Sequence, residues 1–143
     1  MRNWLKILIG LLAVLLVGWL HHGPLGHGEA YVAALEQKAR AVVAETGVPG
    51  VSVALGHDPL TRHATLSGPA DAFQREGQGE LKGINDLVGE IEGVSGIGWT
   101  DEGKRPFALP LLAELWIWMA IAYLAGLGLG WLLFRPRERE GFF

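Results

Sequence analysis

Histidine is the residue type in this chain best suited to chemistry, and three of the five histidines, His21, His22 and His27, fall within seven positions of one another. Neutral imidazoles at such spacing can bind zinc or copper, but a site needs fixed geometry and hydrogen bonds that orient each ring. The stretch HHGPLGHG (21–28) is Gly- and Pro-rich and supplies neither, so it reads as a polar collar on a linker. His57 and His63 flank a loop beside Asp58 and read as exposed loop residues. Ser52, Ser67 and Ser95 lie in or at the ends of strands, outside the strand–elbow–helix setting of a nucleophile. Glu76 and Glu80 are helix neighbours, Glu90 and Glu92 are not, and both pairs read as solvated carboxylates. The glycines at 77, 79 and 83 lack the spacing of a dinucleotide loop. The chain therefore implies no catalytic group, no metal and no cofactor.

Two long apolar blocks enclose these residues. Trp4 to Leu20 carries one charge, Lys6, near its end, and the second block runs from about Pro110 to Phe134. Leu115–Phe134 is twenty uncharged residues, about 30 Å of helix, which matches a hydrocarbon core. Both read as transmembrane helices, with Trp4, Trp19, Trp116, Trp118 and Trp131 towards their ends as interfacial aromatics. Glu114 reads as a headgroup-level carboxylate near Lys104 or Arg105. Ala122, Gly126 and Gly130 repeat every fourth residue and offer a packing face against the first span or a second copy of the chain. Arg2 and Lys6 before the first span, and Arg135, Arg137 and Arg139 after the second, place both termini in the cytoplasm and residues 21–106 outside it. Lys104 and Arg105 dissent. A cleaved signal peptide is the alternative reading of the first span, with small residues Gly28 and Ala30 near a cleavage point.

The chain has 143 residues, of which half are apolar, no cysteine and a net charge of −3. That composition excludes a disulfide scaffold, a thiol nucleophile and the basic footprint of a nucleic-acid binder. The exported part, after the linker, shows a helical period over Glu29–Thr46, with Tyr31, Leu35 and Val42 inward and Glu36, Gln37, Lys38, Arg40 and Glu45 outward. Gly47 and Pro49 stop it. Val51, Val53 and Leu55 alternate, as do Ala64 and Leu66, which predicts two strands around a six- or seven-residue loop. Phe73–Glu92 returns to a helical period through Leu81, Ile84, Leu87, Val88 and Ile91, weakened by four glycines. Val94–Trp99 is a third strand. The expected architecture is a membrane-anchored α+β fold: an anchor (1–20), a linker (21–28), an α-β-β-α-β domain (29–103), a linker and second span (104–134), and a tail (135–143).

Gly50-Val51-Ser52-Val53, Thr65-Leu66-Ser67-Gly68 and Gly93-Val94-Ser95-Gly96-Ile97, in this order and spacing, resemble the BON domain family of exported bacterial modules. The resemblance covers about residues 33–100. It departs at the hairpin loop, His57 to Arg62, and at the glycines of the second helix. It implies a non-catalytic domain that binds phospholipid or other envelope components. The expected function is that of an inner-membrane-anchored envelope protein whose periplasmic domain meets a protein or cell-wall partner. The competing reading is a membrane subunit of a larger secretion or transport complex, acting through its spans.

Overall fold

The structure is a computed structural model and describes residues 3–103 and 108–134. The flanking cations Arg2, Lys104, Arg105, Arg135, Arg137 and Arg139 lie outside the described residues. Helices α1 (Asn3–His22) and α5 (Leu111–Phe134) are the two apolar blocks, each long and apolar enough to cross a membrane. Only 6% of the apolar window of α1 and 0% of that of α5 is buried, so neither is the core helix of the domain between them.

α2 (His27–Glu45) starts two residues earlier than its pattern predicts, and the linker shrinks to positions 23–26. His21 and His22 continue α1, and Gly26 at φ +73° turns the chain back in a left-handed conformation that a side chain would strain. Val32, Leu35, Glu36, Ala39 and Val43 form the buried stripe of α2, the 3.6-residue period of a helix packed on one side.

That stripe covers an α+β core. β1 (Ser52–His57) pairs antiparallel with β2 (Leu60–Ser67), and β5 (Gly96–Trp99) pairs parallel with β2, giving a mixed sheet in the order β1-β2-β5. Val53, Leu55, Ala64, Leu66 and Trp99 are buried with the α2 stripe. The expected long loop is a two-residue turn, Asp58–Pro59, because both strands run further than their apolar alternation. Their extra residues include Gly56, where a Cβ would strike the Thr61 hydroxyl.

The helix expected over 73–92 is four elements. α3 (Ala72–Glu76) opens with Asp71, whose carboxylate accepts the Gln74 N–H at 2.8 Å while Gln74 returns a bond to the Asp71 N–H. A short hairpin follows, β3 (Gly77–Gln78) and β4 (Leu81–Lys82), and then α4 (Ile84–Gly89). Gly77 (φ +72°) and Gly79 (φ +63°) turn the chain, and Cβ atoms at Gly77 or Gly83 would collide with the opposing backbone. Those glycines permit the close crossing that breaks the helix. Ile84 and Val88 still enter the core, whereas Leu81 is 66% exposed.

Leu66 is fully buried, so Leu66→Ala should cost about 2–4 kcal/mol. Leu81→Ala and Glu80→Ala should each stay within about 0.5 kcal/mol. Denaturant unfolding of the full chain in mild detergent, read by amide exchange of the strands, checks this. Equal effects of the three substitutions would contradict the assigned core face.

Candidate functional site

The polar side chains with the densest partnerships lie where the domain meets α1 and α5. α5 enters from residues 108–110, and Pro110 bridges antiparallel to Thr61 at the start of β2. Next to it Arg62 reaches from the sheet. Its Nε donates to Glu114 Oε2 at 2.7 Å, its Nη2 lies 2.6 Å from the same oxygen, and its Nη1 donates to the Gly93 carbonyl at 2.8 Å. Both charged side chains are mostly buried, at 27% and 15% exposure. Glu114 sits in the first turn of α5, where a helix favours negative charge. Arg62 thus reaches Glu114 from 52 positions away; Lys104 and Arg105, expected near Glu114, lie outside the described residues.

A second polar group lies across the hairpin end. His57 is on β1, not in a loop. Its Nδ1 is 2.8 Å from Glu29 Oε1 and its Nε2 is 3.0 Å from Glu36 Oε2. Two carboxylates on opposite ring nitrogens favour the doubly protonated ring, and these bonds, Glu36 first, raise the His57 pKa. Glu36 is only 8% exposed, although its sequence position reads as solvated. Burial pushes its carboxyl up. The Leu55 N–H at 2.9 Å, His57 and Arg40 outweigh that effect and hold it below the ordinary carboxylate range. A polar residue on a helix stripe that the sheet covers is the signal that the sequence pattern hides.

His63 is buried and its Nε2 has no hydrogen-bond partner among the described residues; burial lowers its pKa. Its Nδ1 lies close to Gly96, where a Cβ would be 2.9 Å away. His21 and His27 stack with centroids 4.2 Å apart, and a Cβ on Gly28 would collide with the His22 ring. Among the described residues no three metal-ligating side chains converge. At the far end of the sheet Arg75 forms two bonds to Asp101, 2.9 and 2.6 Å, and lies 4.0 Å over the Trp99 ring, whose Nε1 donates to Asn85 at 2.8 Å. Asp101 is held low, and Arg75 high, by that shared pairing.

The motif glycines sit at tight points. Gly68 (φ +126°) has no room for a Cβ against Gly50 and Val51, and at Gly93 (φ +107°) one would press on Tyr31 and Leu35. Val53 and Leu66 are core residues, Val94 packs against the core, Thr65 is exposed, and Ser67 bonds Ser52 at 2.8 Å. Ala122 and Gly126 are exposed, and a Cβ at Gly126 or Gly130 would meet nothing within 4 Å, so that stripe does not face α1. α1 meets α5 through its own glycines: Tyr123 covers Gly10 and donates to the Ile7 carbonyl at 2.7 Å. Met119 and Trp116 cover Gly18, and Trp116 donates to Leu15 at 3.1 Å. The spacing of Gly10 and Gly18, about two helical turns, is the sequence signal for this contact.

Comparison of the chain with protein-family models, with curated proteins and with solved structures gives no match.

These contacts orient α2, the sheet and α5 against one another. Glu114→Gln should weaken the domain–α5 joint by about 1.5–3 kcal/mol, as loss of a charge-assisted bond does, and Arg62→Met with Glu114→Gln should be less than additive in a double-mutant cycle. The pH profile follows from the shifts of His57, Glu36 and His63. The raised His57 contributes stability fully below its unfolded value of about 6.5 and loses it as pH rises through the folded value. The lowered Glu36 contributes fully above about 4.3 and loses it as pH falls through its folded value. Burial of His63 opposes His57, because the stability carried by its neutral ring is lost as pH falls below about 6.5. Thermal unfolding in detergent of His57→Gln beside the unaltered chain should therefore show a smaller loss of stability above about pH 6.5 in the variant.

Proposed function

We propose that this chain is a non-enzymatic binding module of the bacterial cell envelope, held in the inner membrane by α1 and α5. The observation that carries the reading is the pairing of two apolar, lipid-length helices whose outer faces are exposed, at one end of a small polar domain. In this reading both termini are cytoplasmic and residues 21–106 are periplasmic. α1 is a retained anchor, a choice supported by the bonds from Trp116 and Tyr123 to its backbone. The domain is BON-like; its α-β-β-α-β order, with α3 and the small hairpin inserted, and its mixed sheet are compatible with that resemblance.

The domain faces a protein or cell-wall partner rather than lipid. Residues 21–106 hold twelve acidic and seven basic side chains, a net of −5. Electrostatic attraction to anionic lipid needs clustered cations, at about 1 kcal/mol per Lys or Arg near the surface. A subunit role inside a larger membrane complex is the second reading, favoured by the open flank of α5 at Gly126, Gly128 and Gly130.

Chemical cross-linking in intact cells, followed by recovery in mild detergent, tests both. Replacing α1 and α5 by unrelated apolar helices should leave the cross-linked partner in place, and replacing the domain should remove it; the reverse result supports the subunit reading. A reporter active only in the cytoplasm should give signal after Phe143 and none near Asp58. Protein starting near Tyr31 would show that α1 is cleaved. The full chain in neutral nanodiscs should not recruit anionic vesicles at physiological salt; tight recruitment would overturn the preference for a protein or cell-wall partner.

A further inference from the structure

We infer that the free edge of β1 is a docking strip for an extended segment of another polypeptide, which adds to the sheet as a fourth strand. This names the partner chemistry of the domain and rests on the binding-module reading above.

Hydrogen-bond alternation exposes the edge. On β2 the carbonyls of Arg62 and Leu66 accept from Ser95 and Thr100, so the even residues of β2 turn towards β5. Its odd residues turn towards β1, and the register places Thr65 opposite Ala54 and Ser67 opposite Ser52. On β1 the even residues Ser52 and Ala54 are therefore bonded inward, and Val53 and Leu55 direct their N–H and C=O groups outward. The Leu55 N–H bond to the Glu36 carboxylate is an independent sign of that direction. Glu36 covers one group at the end of the strip next to α1 and α5, and among the described residues no side chain bonds the main chain of Val53.

The strip has a built wall. A groove of about 420 Å³ runs between the β1 edge and α2, lined by Val43, Ala44 and Arg40 on the helix and by residues 51–54 on the strand. A strand laid along the edge would point alternate side chains into this groove. Val43 and Ala44 suit small aliphatic side chains, and Arg40 suits a carboxylate. The Arg40 side chain is 65% exposed while paired with Glu36, so it can take a second acceptor. From Ser52 to Ala54 the strip carries no proline or charged residue of the kind that blunts sheet edges; the Glu36 carboxylate and the bulge at Leu55–His57 close only its far end. The occupant is thus an extended segment with alternating small apolar residues and one acidic residue, bound mainly through its main chain. A second copy paired antiparallel does not fit one membrane. β1 runs towards the anchor end, since its turn leads into Leu60 and Thr61 beside Pro110. Two copies paired antiparallel through β1 would point their anchors in opposite directions.

The test uses the full chain in lipid nanodiscs and a phage-displayed library of random dodecapeptides. Enriched peptides, made synthetically, should slow amide exchange at Val53 at least tenfold at saturation. Ala44→Trp, which fills the groove from an exposed helix position, should weaken them at least tenfold; Ala34→Trp, on the same helix outside the groove, should not. Methylating the amides of one alternate set of peptide residues should abolish binding, and methylating the other set should leave it. Peptides that bind regardless of Ala44→Trp and instead protect the amides around Phe73 and Leu81 would overturn the edge and keep the binding-module reading. Failure to enrich any peptide over empty nanodiscs would overturn the edge, and the cross-linking experiment would still judge the module separately. Protection of Val53 that rises with protein concentration alone would replace the partner by a second copy.

Discussion

Arg62 joins three parts of the chain with one guanidinium: the sheet that carries it, the turn before β5 through the Gly93 carbonyl, and α5 through Glu114. Beside that joint, Pro110 bridges to Thr61 and Leu111 packs against the core, so the ion pair sets how α5 leaves the domain. The mostly buried setting raises the importance of the pair in both directions. Two charges that satisfy each other at 2.6 Å hold an orientation, and either one left alone would be a costly orphan.

The same logic governs Glu36. A carboxylate on the buried stripe of α2 is tolerated because a backbone N–H, an imidazole and a guanidinium all converge on it. In return it ties α2 to β1 near the anchor end, where Glu29 joins through His57. The two polar clusters together make the end of the domain next to α1 and α5 its most cross-linked region. The opposite end relies on a shared aromatic, Trp99, with Arg75 above it and Asn85 at its indole N–H. The domain therefore presents a fastened base, and its free features, the β1 edge and the groove beside α2, run along its flank.

Much of the architecture is legible in local pattern. The apolar blocks have no periodic polar face, so each can only be a long helix with an apolar surround. Val53 and Leu55, and Ala64 and Leu66, alternate with the two-residue period of a strand, and Val32, Leu35, Ala39 and Val43 follow the helical one. These periods report which side of an element is covered; the strands agree, whereas on α2 the covered stripe is turned away from the expected Tyr31 and Val42, which are exposed and half-buried, to Val32, Glu36 and Val43. The same reading misplaces 73–92, because Ile84, Val88 and Ile91 keep a helical rhythm across a segment where left-handed glycines turn the backbone back on itself. Periodicity counts side chains and does not register a close approach of two backbones.

The sequence by itself determined the two helices of membrane length, the order of elements outside 73–92 and the alternating faces of β1 and β2, because each depends on residues within one or two turns of one another. Tertiary structure alone decided what the polar residues do. Glu36 and His57 look solvated until α2 lies across β1. Glu114 gives no sign in sequence of Arg62, which reaches it from 52 positions away. The small residues that admit a partner helix are Gly10 and Gly18 rather than the evenly spaced set in α5, because the facing side chains are Tyr123, Trp116 and Met119. A polar side chain is defined by what meets it in space, and spacing along the chain carries no record of that meeting.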